Sequence, residues 1–264
     1  MSAAGLRTER DRDILTITLD RPDRLNALDI PTLGELRRTL QSATVDTGLR
    51  AIILTGAGAA FSAGGDVRTM DEYRARGALP QLFHELTQEQ ELAVREILYM
   101  PKPVVAALPG VAAGGGLSLA LAADWRIAST RATLVPAFPQ LGAVPDGGLT
   151  YLLPHYLGLG LAQELLFSAA RLSAARAREL ALVHEVVEPE ALLARAQAKA
   201  RELADGPLFA LGWIKRLLVS AFSESLDSQL VLERRGAVEA ASRGELAEGI
   251  RAFLEKRPPR FLGA

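Results

Sequence analysis

At 264 residues and 28.2 kDa, the chain is long enough for one large α/β domain, or a domain with an appendage, around a sizeable core. It has no cysteine, which excludes disulfides and any thiolate-based zinc, iron–sulfur or nucleophile chemistry. Its 30 basic and 31 acidic residues balance, its aromatics (5%) are not interleaved with basic residues, and no run nears the roughly 18 apolar residues of a membrane span, so neither a nucleic acid nor a membrane is expected as partner.

Taken in order, residues 1–13 (MSAAGLRTERDRD) carry no apolar leader core, which together with the missing cysteines leads us to expect a cytoplasmic protein. Leu6 to Asp20 has a hairpin pattern turning at Asp11–Asp13, with Ile14, Thr16 and Thr18 alternating against Leu15, Ile17 and Leu19. RPDRLNALD then leads into a helix near Pro31 to Ala43, with Leu33, Leu36 and Leu40 on one face. Arg50 to Thr55 reads as a strand, followed by the glycine-containing stretch Gly56 to Met70. The segment Val67–Gly77 is polar, and helical spacing resumes from Pro80 to Met100 through Leu82, Leu86, Leu92, Val94, Ile97 and Leu98.

Pro103 to Leu108 (PVVAAL) reads as a buried strand bounded by prolines. It breaks into Gly114-Gly115-Gly116, and Leu117 to Asp124 has the Leu/Ala composition of a buried helix. Taken alone, a GGG triplet reads as a close-packed turn. The glycine turn after the Arg50 to Thr55 strand changes that reading. Two strand-to-glycine turns that each offer bare amides are the parts of an oxyanion hole, and strand–helix alternation puts both at the carboxyl ends of neighbouring parallel strands. Further strands are expected at Trp125–Ala128, Ala132–Val135 and His184–Glu188, and helices at Leu149–Leu157, Leu159–Ser168 and Ser173–Leu180. Pro189 to Leu254 reads as three or four helices with breaks near Asp205–Pro207, Ser223–Ser225 and Gly244.

Four motifs in order, LDRPDRLNALD (19–29), AFSAGGD (60–66), GVAAGGGLSLALAAD (110–124) and VPDGGLTYLLP (144–154), together with the ending AFLEKRPPRF (252–261), resemble the crotonase or enoyl-CoA hydratase/isomerase superfamily over almost the whole chain. The resemblance implies an α/β fold: a ClpP-like spiral core of repeated ββα units in residues 1–200, carrying an acyl-CoA site, and a C-terminal helical trimerisation region in 201–264. It implies homotrimers or dimers of trimers, and coenzyme A as part of the substrate rather than a separate cofactor. The thioester carbonyl would sit on the amides of Gly65 and Gly115. Arg24, Ala27 and Ala63 would lie along the coenzyme A moiety, with Ser118 and Phe138 at the acyl end, and Asp66 bracing its loop.

Hydratases of the superfamily use two glutamates, and the matching positions here are Ser118 and Phe138. Neither supplies a carboxylate to move a proton of water. Asp146 remains, at a position where several isomerases carry a carboxylate. The run from Phe138 to Gly148 and the chain ending are most similar to ring-1,2-epoxyphenylacetyl-CoA isomerases, although Leu149 stands where a third glycine is expected. The resemblance thus implies an isomerase of double-bond or ring-epoxide acyl-CoA, in fatty acid metabolism or phenylacetate degradation, with Asp146 as base. The alternatives are a hydratase working through Asp146 and Ser118, and a non-catalytic acyl-CoA-binding protein. Asp146 could also serve as cap of the helix beginning near Leu149.

Other motifs carry less. Gly56-Ala57-Gly58-Ala59-Ala60-Phe61 begins like a dinucleotide fingerprint but has Phe61 in place of the third glycine. His84, His155 and His184 are too scattered for a metal set, so no metal is expected. Ser62 and Ser118 have no base placed by motif, and Arg171, Arg176 and Arg178 read as a solvated helix face.

Overall fold

A computed structural model describes residues 5–262; the first four residues of the stretch read above as lacking a leader lie outside it. The predicted hairpin forms from β1 (Leu6–Asp11) and β2 (Ile14–Leu19), paired antiparallel, with Arg12 in the left-handed region at φ 56°. Helix α1 (Ile30–Val45) follows. The Asp29 side chain caps it by accepting the Thr32 N–H, and Leu33, Leu36 and Leu40 are fully buried.

Strand β3 (Ala51–Gly56) is buried along its whole length, as a strand covered on both faces must be. Its residues alternate between two cores. Ile52 and Leu54 face the main core, while Ile53 joins a second cluster with Val105, Ala107 and Ile127. Next comes β4 (Ala60–Ser62), a strand absent from the sequence expectation. Helix α2 (Val67–Ala75) forms where only a polar connection was expected. None of its residues is fully buried, so no apolar stripe marks it; the Asp66 carboxylate starts it by accepting the Arg68 and Thr69 N–H groups. Helix α3 (Leu79–Tyr99) then lays Leu82, Leu86, Val94 and Ile97 on the core, with Leu92 and Leu98 half-buried.

The chain continues through β5 (Val104–Leu108), β6 (Val111–Ala113), α4 (Gly115–Ala122), β7 (Trp125–Ser129) and β8 (Thr133–Val135). Helices α5 (Leu149–Leu157) and α6 (Leu159–Ser168) match their expected bounds. The two-residue β9 (Leu172–Ser173), α7 (Ala174–Glu179) and β10 (Glu185–Val187) complete the core. The large sheet has the order β1-β2-β3-β5-β7-β10, parallel from β2 onward, and the small one β4-β6-β8-β9. From β3 onward each repeat is therefore strand, short strand, helix.

This corrects the simple strand–helix alternation read from the sequence. The glycine turns do follow neighbouring parallel strands, but these are β4 and β6 of the small sheet rather than β3 and β5. Three-residue strands such as AFS and VAA are too short to show a period. The C-terminal helices are four: α8 (Leu192–Ala204), α9 (Leu208–Ser220), α10 (Leu226–Ala241) and α11 (Gly244–Leu254), broken where expected. Ala196, Ala200 and Ala204 of α8 close the second core over the large sheet.

Candidate active site

The two glycine turns lie against each other because neither carries a side chain there. A Cβ on Gly64 (φ 90°) would stand 2.8 Å from the Ala113 carbonyl oxygen and 3.5 Å from Gly114 Cα, and one on Gly116 would stand 2.6 Å from Ser62 Cβ. Gly114 (φ 49°) turns the chain into α4, so Gly115 opens that helix and its N–H has no intrahelical acceptor. In the other turn, Leu28 and Gly65 form an isolated bridge through Leu28 N–H to Gly64 O and Asp66 N–H to Leu28 O. These bonds use the amides on either side of Gly65. Among the described residues, neither the Gly65 nor the Gly115 N–H has an acceptor.

Both glycines line a cavity of about 310 Å³. Ala63 and Gly64 continue its first wall, α2 and α3 supply Met70, Phe83, Leu86 and Gln90, and the loop after β8 supplies Phe138, Leu141 and Asp146. The Asp146 carboxylate is half-buried, and its Oδ1 accepts a 2.9 Å hydrogen bond from Gln90 Nε2. Burial pushes its pKa up to about 6, against the opposing pull of that bond. Asp146 does not cap α5 with its side chain: Gly148 holds the cap position, and only the Asp146 carbonyl takes part, accepting the Leu149 N–H. The same carbonyl accepts the Ser118 hydroxyl at 2.9 Å. Ser118 is fully buried and thus fixes the Asp146 loop rather than facing the cavity.

Asp66 is a brace. It is 4% exposed, caps α2 with Oδ1, and binds Arg21 and Arg24 through Oδ2 at 2.8 Å each. Burial alone would raise its pKa, but the hydrogen bonds from Arg24 and Arg21 outweigh it and hold the carboxyl below the usual range. Of the sequence-predicted positions, Ala63, Gly65, Gly115, Phe138 and Asp146 meet on the cavity wall. Arg24, Ala27, Asp66 and Ser118 lie outside it, with Arg24 partly exposed and Ala27 buried as acceptor for Arg21.

The described residues contain no group of three or more metal-ligating side chains. His84 is exposed, and His155 stacks on Phe222 at 3.8 Å. His184 stacks on Trp125 at 4.3 Å, with burial and then Arg126 pushing its pKa down to about 4.

Residues 9–264 match the family model described as enoyl-CoA hydratase/isomerase. The chain belongs to the enoyl-CoA hydratase/isomerase family. It is similar to the 1,2-epoxyphenylacetyl-CoA isomerase of Escherichia coli K12, with 40% identity over 96% of each chain. It also matches a protein of Rhodobacter capsulatus named "Probable enoyl-CoA hydratase", at 38% identity over the full length of both. A solved enoyl-CoA hydratase from Polaromonas sp. JS666 superposes with a TM-score of 0.91 at 34% identity, covering 97% of this chain and 98% of that one.

This crotonase-fold family acts on acyl-CoA thioesters. Phe138, at one position where the resemblance implies a hydratase glutamate, has its ring edge 3.9 Å from the place of a Gly114 Cβ, and Ser118, at the other, is buried in the core. Sequence reading missed Gln90. It lies on the apolar face of α3, one turn from Leu86 and one from Val94, and a glutamine breaking the apolar spacing there is the signal the sequence offered; in the structure it is 3% exposed.

Proposed function

We propose that this family member is an acyl-CoA isomerase. The thioester carbonyl oxygen rests on the Gly65 and Gly115 amides, and Asp146 removes a proton from the adjacent carbon. The electron pair of that C–H bond flows into the thioester, giving an enolate on the two amides, each donor worth roughly 3–4 kcal/mol of barrier. With a 3-enoyl thioester the enolate is extended, and the proton returns from Asp146 to the far carbon, leaving the double bond conjugated. A ring-epoxide acyl-CoA is the other substrate class this chemistry suits. Coenzyme A enters as part of the substrate, and the helices of 201–264 join three chains, or two such trimers, in the cytoplasm.

The observation that carries the reading is the Asp146 carboxylate: half-buried, raised to about 6 and lining the same cavity as two amides without acceptors among the described residues. A carboxylate of that pKa is ionised at neutral pH yet far more basic than an ordinary one. A non-catalytic binder would have no use for so costly a group. The hydratase reading is favoured by the name of the R. capsulatus relative, and would require Asp146 to activate water alone.

The test is turnover of 3-enoyl, 2-enoyl and aromatic acyl-CoA esters by wild type and Asp146→Asn. The variant is expected to fold and bind acyl-CoA while losing isomerisation by about 10²–10⁴-fold. Wild-type turnover by Asp146→Asn would remove Asp146 as base.

A further inference from the structure

Gln90 belongs to none of the motifs that mark the family resemblance, yet it is the group in direct contact with Asp146. Its surroundings restrict it. A Cβ on Gly115 would stand 2.5 Å from Gln90 Oε1 and 3.0 Å from Nε2, and a Cβ on Gly147 would overlap Nε2 more closely still. Gly147 has φ 56°, so the backbone there is bent as well as bare. Two missing side chains thus make the slot in which one amide lies between the second glycine turn and the Asp146 loop. The amide spends its N–H on Asp146 Oδ1 at 2.9 Å.

Asp146 Oδ2 receives no hydrogen bond from a described residue and is not sealed off from open space. The cavity's other charged side chains, Asp71 and Arg74 of α2, pair with each other at 2.8 Å and are largely exposed. Nothing on that wall competes with Gln90 for the carboxylate.

We propose that Gln90 is the positioning residue of the reaction: its amide, wedged between Gly115 and Gly147, occupies Asp146 Oδ1 so that Oδ2 is the oxygen that takes and returns the substrate proton. The same wedge sets the spacing between the base and the Gly115 amide, so base and oxyanion donor move as one unit. This rests on the isomerase reading above.

Gln90→Met keeps the length and apolar stem and removes the amide. It is expected to lower kcat roughly 10- to 100-fold with KM little changed, the size expected of a base misplaced by about an ångström. The acid limb of kcat/KM, which reports the free enzyme, is expected to move from about 6 to higher pH, because a donor to the ionised form is gone. A merely structural Gln90 would lower thermal stability and leave that limb in place. In the Asp146→Asn background Gln90→Met should cost little more, since its partner's role is already lost.

An Asp146→Asn enzyme that turns over normally overturns the base itself, whatever Gln90 does. If Asp146→Asn is inactive but Gln90→Met has wild-type kcat or an unmoved acid limb, the positioning role alone is wrong. Should Gln90→Met fail to fold, Gln90→Glu is nearly isosteric and sets a second carboxyl against Asp146. An acid limb moved up in that variant supports the proposal, and an unmoved one overturns it.

Discussion

Asp146, on the cavity wall, and Asp66, behind it, are two carboxylates with opposite fates. Asp146 goes from an ordinary 3.8 to about 6, so between those values the folded chain holds a proton that the unfolded chain has released. Its contribution to stability is therefore most favourable below pH 4, and falls as pH rises to 6. Above that the folded state bears a cost on the order of 2–3 kcal/mol. Asp146→Asn cannot ionise and still offers Gln90 an acceptor, so it is expected to melt several degrees above wild type at pH 7.5 and level with it near pH 4. Equal melting at pH 7.5 would contradict the raised pKa. At this scale the sequence showed Asp146, Gly65 and Gly115 through motifs, because motifs record backbone turns. Gln90 lies 25 residues from its nearest motif partner in the chain, at Gly115, and such contacts are made only by folding. The structure also spoils one obvious variant: Gly115→Pro would delete the amide, but its ring carbons would meet Gln90, so lost activity would not isolate the hydrogen bond.

The elements that carry the two glycine turns are short. Strands β4 and β6 pair in parallel and hand the chain to α2 and α4 through Gly64-Gly65-Asp66 and Gly114-Gly115. Sequence periodicity found the long strands β3 and β5 and the helix α3 but passed over β4, β6 and α2. Three-residue strands have no measurable period, and α2 is held by its cap rather than by an apolar face. That cap makes Asp66 the brace of the element. Asp66→Ala removes the acceptor for two α2 amides, strands Arg24, and leaves Arg21 with Asp29 at 3.0 Å. A loss of roughly 3 kcal/mol is expected, read as a lower urea midpoint, with Asp66→Asn losing less because it can still cap. The ionised Asp66 stabilises the fold above the unfolded pKa, and that contribution disappears as pH falls through its depressed value, so the two variants should converge with wild type in strong acid. A wild-type midpoint for Asp66→Ala at pH 7 would contradict the bracing role.

The whole molecule is two sheets whose strands alternate along the chain, with helices filling the main core and α8 closing the other face of the large sheet. Fold class was readable because four motifs occur in family order, and the four C-terminal helices because Asp205–Pro207, Ser223–Ser225 and Gly244 break them. Leu218, Leu230, Val231 and Phe253 of these helices, and Phe222 between α9 and α10, are exposed in the single chain, an apolar surface that supports the trimer contact proposed above. It is tied to the core by the pair Lys215–Asp124 at 2.7 Å, and α8 runs through residue 201, where the two regions were divided. The proposed function makes one chemical claim of the whole molecule, that a single carboxylate moves a proton through an enolate without adding water. Mass analysis of a 3-enoyl-CoA turned over in deuterated, ¹⁸O-labelled water tests it directly. The expected product is a 2-enoyl-CoA without ¹⁸O, carrying deuterium only where the proton on Asp146 exchanges with water before its return; an unchanged 3-enoyl-CoA, with a 2-enoyl-CoA converted instead to an ¹⁸O-bearing 3-hydroxyacyl product in a reaction lost in Asp146→Asn, would make the enzyme a hydratase.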